Sequence, residues 1–187
     1  MPYSELLANA FAALGQRLGA DSSYLSGTDP AAIAFGQSVG DWSPFPDSAL
    51  ALGSLSRDFK LVILSNVDEP NIARTRRLLE GPGNFTFDLV LTAQQIGSYK
   101  PALGNFEAML ARVASEFGVT KKEEVLVVAQ SRVHDHVPAN ALGLHSAWID
   151  REGAAMGHEE SAQYTYKFDT LEQLAKAVRQ EKSGPTE

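Results

Sequence analysis

The chain has 187 residues, a formal net charge of -7 and no cysteine. It is long enough to bury a core without cross-links, and disulfides, thiolate zinc sites and cysteine nucleophiles are excluded together. With 44% apolar and 21% charged residues the composition is that of a soluble globular chain, and the negative charge with scattered Lys and Arg disfavours nucleic acid as a partner.

No run approaches the roughly 20 apolar residues that span a bilayer. The opening MPYSELLANAF lacks the basic region and cleavage site of a signal peptide, so no membrane partner and a cytoplasmic location are expected. From Ser4 to about Leu18, the residues Leu6, Leu7, Ala10, Phe11, Leu14 and Leu18 recur at helical steps, with Ser4 as the expected N-cap. Asp29-Pro30 supplies a cap and first-turn proline for a helix to about Val39. Trp42 and Phe45 bracket a proline-rich break and are expected to lid the core. Asp47 or Ser48 starts a third helix through Leu55, and Lys60 to Ser65 then reads as the first strand.

From there strands at 88–92, 124–129 and 145–149, with an edge strand at 164–168, alternate with helices near 70–80, 101–117, 136–142 and 170–181. The alternation predicts an α/β fold, a parallel sheet covered on both faces. Residues 183–187 read as a loose tail.

Ligands of such sheets sit at the carboxyl ends of the strands, where this sequence is polar. Ser65, Asn66 and Asp68 follow the first strand; they suit an oxyanion or halide, and Ser65 or Asn66 equally suits a helix cap. Lys100, before Pro101, suits the neutralisation of carboxylates at the mouth of a helix that the proline would start, or simply an exposed loop. Gln130, Ser131, His134, Asp135 and His136 follow the third strand. Histidines there are candidate general acids or bases, with Asp135 orienting one, meeting Lys100, or capping a helix. A zinc site lacks a third ligand. His145 and His158 read as structural or exposed, and Trp148 as a strand residue under a helix.

In this order, Leu64-Ser65-Asn66, Ser98-Tyr99-Lys100-Pro101 and Ala129-Gln130-Ser131 through His134-Asp135 resemble motifs II, III and IV of the haloacid dehalogenase superfamily. VGDWSPFPDS, KLVILSNVDEPN, IGSYKPALGNFE, VAQSRVHDHVPANALGL and AWIDREGAAMG are similar to a fungal branch of 2-haloacid-dehalogenase-like proteins, a likeness running from about Tyr3 to Phe168. The resemblance implies a Rossmann-like core at 45–182 behind a remnant helical cap at 1–44. It implies that Ser65 and Asn66 hold a departing group or substrate carboxylate, with Gln130 and Ser131 beside them. Lys100 would balance charge, and Asp135 would be the motif IV acid. Gln130 stands where many members carry a second aspartate, which leaves a hard cation one carboxylate. Metal-independent chemistry without a cofactor is expected, with at most weak magnesium binding.

In the family a first strand ends in a nucleophilic aspartate. Here Asp21, Asp29, Asp41 and Asp47 all follow helical or turn sequence, so the chain reads as beginning inside the cap, with the central first strand absent between 60–65 and 124–129. Unpaired buried backbone costs about 1–3 kcal/mol per group. Either those two strands pair directly or another chain fills the gap, and a homodimer is expected. Three functions are compatible: non-covalent acid–base chemistry of lyase, isomerase or cyclase type on a small organic metabolite, with His134, Asp135 and Lys100 as the catalytic group; a non-catalytic protein that binds a metabolite or partner; or a fragment of a dehalogenase-like hydrolase.

Overall fold

The structure, a computed structural model, describes residues 1–20, 26–154 and 162–184. Asp21, His158 and residues 185–187 of the expected tail lie outside the described residues.

The N-terminal helices α1 (Tyr3–Arg17) and α2 (Pro30–Gln37) pack on each other. Their approach is close because Gly36 has no side chain: a Cβ there would lie 2.0 Å from the Ser4 carbonyl oxygen. Ser4 is not the cap of α1, which starts one residue earlier behind Pro2. Its N–H is instead taken by the Asp68 carboxylate at 2.8 Å. A 3₁₀ turn, Ser38–Asp41, ends this part. Trp42 and Phe45 do not lid the core, being 55% and 58% exposed; Phe45 is covered by the Arg151 guanidinium, 3.9 Å from its ring centre.

Helix α3 (Ser48–Leu55) leads into β1 (Val62–Ser65), α4 (Glu69–Gly83), β2 (Leu89–Thr92), the short α5 (Ala93–Ile96) and α6 (Leu103–Phe117). Next come β3 (Leu126–Ala129), α7 (Val137–Ala141), β4 (His145–Ile149), β5 (Tyr166–Phe168) and α8 (Leu171–Ser183). Every observed strand falls inside its expected range. Helix α5 is set off by a capping box, Thr92 accepting from the Gln95 N–H while the Gln95 side chain accepts from Thr92.

All pairing is parallel, but the strands form two sheets, β1–β2 and β3–β4–β5. Among the described residues β1 and β3 do not pair, so direct closure of the gap is not the solution adopted. One apolar cluster nevertheless underlies both sheets: Phe106, Met109 and Val113 of α6 with Ala139 and Leu144, against which Val62 and Leu64 of β1 and Val127 of β3 pack. On the opposite face Ala51 and Leu55 of α3 meet Ile149, Leu174 and Ala175. Among the described residues no helix is long and apolar enough to cross a membrane.

Candidate functional site

Strand β1 carries Leu64, Ser65 and Asn66 to the carboxyl edge of its sheet. The Asn66 amide clamps the next loop: its Oδ1 accepts from the Lys100 N–H at 2.7 Å, and its Nδ2 donates to the Lys100 carbonyl at 3.2 Å. Ser65 Oγ accepts from the Val67 N–H at 3.1 Å. Neither residue caps α4, because Asp68 does so by accepting from Asn71.

The clamp fixes the root of Lys100, whose ammonium donates to the Leu64 carbonyl at 2.8 Å and to Asp135 Oδ1 at 2.6 Å. The paired side chains are only 13% and 12% exposed, so their attraction is weakly screened and charge-assisted. The third ammonium hydrogen has no partner among the described residues. Lys100 is thus not an exposed loop residue, and Asp135 meets it instead of capping a helix. The proline does not start a helix either: α6 begins at Leu103, after a turn in which the Asn105 side chain donates to Ser98 Oγ and the Ala102 carbonyl.

Across the edge, β3 runs into one wide turn of π type at Arg132–His136. Ser131 opens it, its Oγ accepting from the His134 N–H at 3.2 Å and lying 2.9 Å from His134 Nδ1. This holds the exposed His134 ring, and its Nε2 has no partner among the described residues. The wide turn also points Asp135 inward and tucks His136 under the strand, fully buried. A carbonyl can only accept, so His136 Nε2 donates to Ala129 O at 3.1 Å and Nδ1 accepts from Ser146 Oγ at 2.9 Å. Burial pushes the His136 pKa below its ordinary 6.5; the pull of Ala129 and Asp135 in the other direction is smaller, and Arg132 adds to the lowering. His136 is therefore a neutral structural residue. The Gln130 carbonyl accepts from Trp148 Nε1 at 3.0 Å, and Trp148, buried as a strand residue, has the Arg132 guanidinium 4.9 Å from its ring centre. His145 is exposed, 3.4 Å from Thr165 Oγ1.

Two further residues stand at the rim: Asp68, expected there after the first strand, and Tyr99, which sequence reasoning gave no role. Asp68 receives N–H groups from Ser4, the Asn71 backbone and the Asn71 side chain; burial alone would raise its pKa, but these donors hold it below the ordinary 3.8. Tyr99 donates its hydroxyl to the Met1 carbonyl at 2.8 Å. Burial first, then the Asp68 charge, push its pKa above 10.0. What the sequence reading gave to Ser65 or Asn66, the cap of α4, belongs to Asp68, and its place two residues before Pro70 was the signal.

The donors at this edge do not fit a magnesium ion. Asp135 is neutralised by Lys100, Asp68 is saturated by N–H donors, and among the described residues no three His, Asp or Glu side chains converge. An open cleft of about 450 Å³ lies farther along, after β4 and β5, lined by Asp150–Ala154 and Asp169. At Lys100, by contrast, a buried charge pair is followed back along the chain by an exposed histidine, His134, directly before Asp135.

No family model and no curated protein matches the chain. Its fold is similar to that of the L-2-haloacid dehalogenase PA0810, with a TM-score of 0.73 at 20% identity over 96% of this chain and 72% of that one. It is also similar to the L-2-haloacid dehalogenase of Xanthobacter autotrophicus (0.74, 22%, 96% and 76%). The putative HAD-hydrolase YfnB of Bacillus subtilis, in a magnesium-bound structure, gives 0.72, 21%, 96% and 74%. At these identities the likeness is one of fold, the Rossmann-like α/β fold of the haloacid dehalogenases.

Proposed function

We propose that this is a haloacid-dehalogenase-like protein of the fungal 2-haloacid-dehalogenase-like branch that works without an aspartate nucleophile. It would perform metal-independent proton-transfer chemistry of lyase, isomerase or cyclase type on a small organic acid. The observation that carries the reading is the buried Lys100–Asp135 pair beside an exposed imidazole. The remaining ammonium hydrogen of Lys100 would take a substrate carboxylate, and Ser65 and the Gln130–Ser131 turn would border it. Ser131 holds Nδ1, so His134 would move the proton through Nε2. Asp135 would keep Lys100 charged and in place.

Incubating 2-hydroxy, 3-hydroxy and 2-halo acids with the protein in deuterated water tests this by NMR. Exchange of a carbon-bound proton next to the carboxylate is expected, and His134→Ala should lose it. Halide or phosphate release that survives in His134→Ala but not in Asp135→Asn would sink the proposal in favour of hydrolysis.

A second reading, a metabolite-binding protein without catalysis, is favoured by how fully Asn66 is used in holding the loop. It expects a small acid to raise the melting temperature with no exchange. Either form is proposed to be a cytoplasmic homodimer. Support comes from exposed apolar side chains on the N-terminal helices, Leu14, Leu18 and the adjoining Phe11–Phe35 rings, 5.2 Å apart. A solution mass equal to one chain would exclude the dimer.

A further inference from the structure

The turn that carries His134 is held from outside the site. Arg132 opens it, and its guanidinium lies over two rings, 4.9 Å from the centre of Trp148 and 5.7 Å from that of Tyr164. The ring quadrupole attracts such a cation, more strongly where water is displaced, and Trp148 is only 6% exposed. The same indole reaches back along the chain, its Nε1 donating to the Gln130 carbonyl at 3.0 Å. Gln130 and Arg132 are therefore both fixed on Trp148, and Ser131, which touches the His134 ring, stands between them.

The far end of the turn is tied to the same support. Arg132 Nη2 donates to the Ala162 carbonyl, and the Gln163 N–H donates to Asn140 Oδ1 at 2.7 Å. That carbonyl and that N–H belong to one planar peptide unit and point in opposite directions. Arg132 at the start of the turn and Asn140 in α7, just after it, thus grip a single peptide from its two sides. Thr165 secures this segment to β4, its N–H donating to the Ser146 carbonyl at 2.8 Å and its Oγ1 accepting from the Ser146 N–H at 3.1 Å. Turns of π type are rare and the α turn is the ordinary alternative, so the wide spacing is imposed by contacts beyond the turn itself.

We propose that Arg132 is a positioning residue: it holds the turn in its wide form and so sets the place from which the His134 imidazole works. Its effect on reaction rate rests on the assignment of proton transfer to His134; its effect on the ring's position does not. Lys100 is held separately, by Asn66 and the Leu64 carbonyl, so the group that would take the substrate carboxylate stays in place when the turn relaxes.

The test uses the full chain labelled with nitrogen-15 and followed by NMR at one pH. In Arg132→Met the His134 ring signals should shift, and the Trp148 indole N–H should exchange about tenfold faster or more. The Trp42 indole, bonded to Ser38 Oγ at 3.1 Å, is the internal control. Asn140→Ala frees the other side of the peptide with the arginine left in place; it should move the same His134 signals, and it decides the question if Arg132→Met does not fold. Lys167→Met removes a second cation, 4.7 Å from the Trp148 ring centre and paired with Asp150, and should leave His134 unmoved. For an acid whose carbon-bound proton exchanges, kcat should fall about tenfold in Arg132→Met with KM little changed. His134 signals that stay in place in the folded Arg132→Met and Asn140→Ala variants would overturn the proposal, even with a lowered melting temperature, as would an equal shift in Lys167→Met. If no acid exchanges in the unaltered protein, the proton-transfer reading fails alone and the ring signals still decide the role of Arg132.

Discussion

Arg151 grips Asp47 with both arms of its guanidinium, Nη1 to Oδ1 at 2.9 Å and Nη2 to Oδ2 at 3.1 Å, across 104 residues of chain. The same carboxylate accepts the Leu171 N–H at 2.9 Å, so a single side chain joins the start of α3, the loop after β4 and the first turn of α8. Asp47→Ala strands a guanidinium that is 12% exposed and should cost about 3 kcal/mol of stability by urea unfolding. Burial alone would raise the Asp47 pKa; the hydrogen bond and charge of Arg151 and the Glu172 N–H outweigh it, and the pKa ends below 3.8. The associated stability is present above pH 3.8 and lost as pH falls through the folded value. Asp47→Asn should flatten that acid limb.

The buried His136 gives a second, separate pH dependence. Its pKa in the fold lies below the ordinary 6.5, so the unfolded chain takes up this proton first. Stability should be full above pH 6.5 and decline as pH falls from there toward the folded value. Melting curves of His136→Gln should lose the slope in that window, at a constant cost from the disturbed bonds to Ala129 and Ser146.

Removing Lys100 as Met leaves the Asp135 carboxylate buried without a counter-ion and should destabilise by about 3 kcal/mol. The double variant with Asp135→Asn should recover part of this, with a coupling energy on the order of 1–3 kcal/mol in a double-mutant cycle. Simple additivity would mean that the pair, despite its 2.6 Å contact, contributes nothing as a pair.

Asn66→Ala frees both backbone groups of Lys100 and should cost about 1–2 kcal/mol. The informative readout is exchange at the Lys100 N–H. It should accelerate far more than exchange in α6, because Asn66 anchors the loop and not the helix that follows.

Much of this architecture was readable because some segments have one physical solution. The runs Leu61–Leu64 and Val125–Val128 are too short and too apolar for surface helices, so they become strands, and polar residues directly after them must lie at the carboxyl edge. Lys100 reaches the same edge by a loop after the second strand, where Asn66 holds its backbone and its ammonium meets Asp135. Other features depend on distance through space. Nothing local to Asp47 announces Arg151, and Phe45, an apolar residue by composition, ends up under a guanidinium at the surface. Thr92 and Gln95 did carry a legible capping signal, but the helix they start has only four residues. The wide turn at Arg132–His136 inserts an extra residue per turn, which no periodicity in five residues can reveal, and it decides which of two histidines faces water.

Because no ladder crosses from β1 to β3 among the described residues, the two sheets are joined through the helices and apolar clusters they share. At the carboxyl edge their latch is the Lys100 ammonium, one arm on the Leu64 carbonyl and one on Asp135. The contact between Lys100 and Asp135 therefore spans the two sheets where no backbone pairing does. The group that balances the charge of this edge is thus also the one that ties its two sides together.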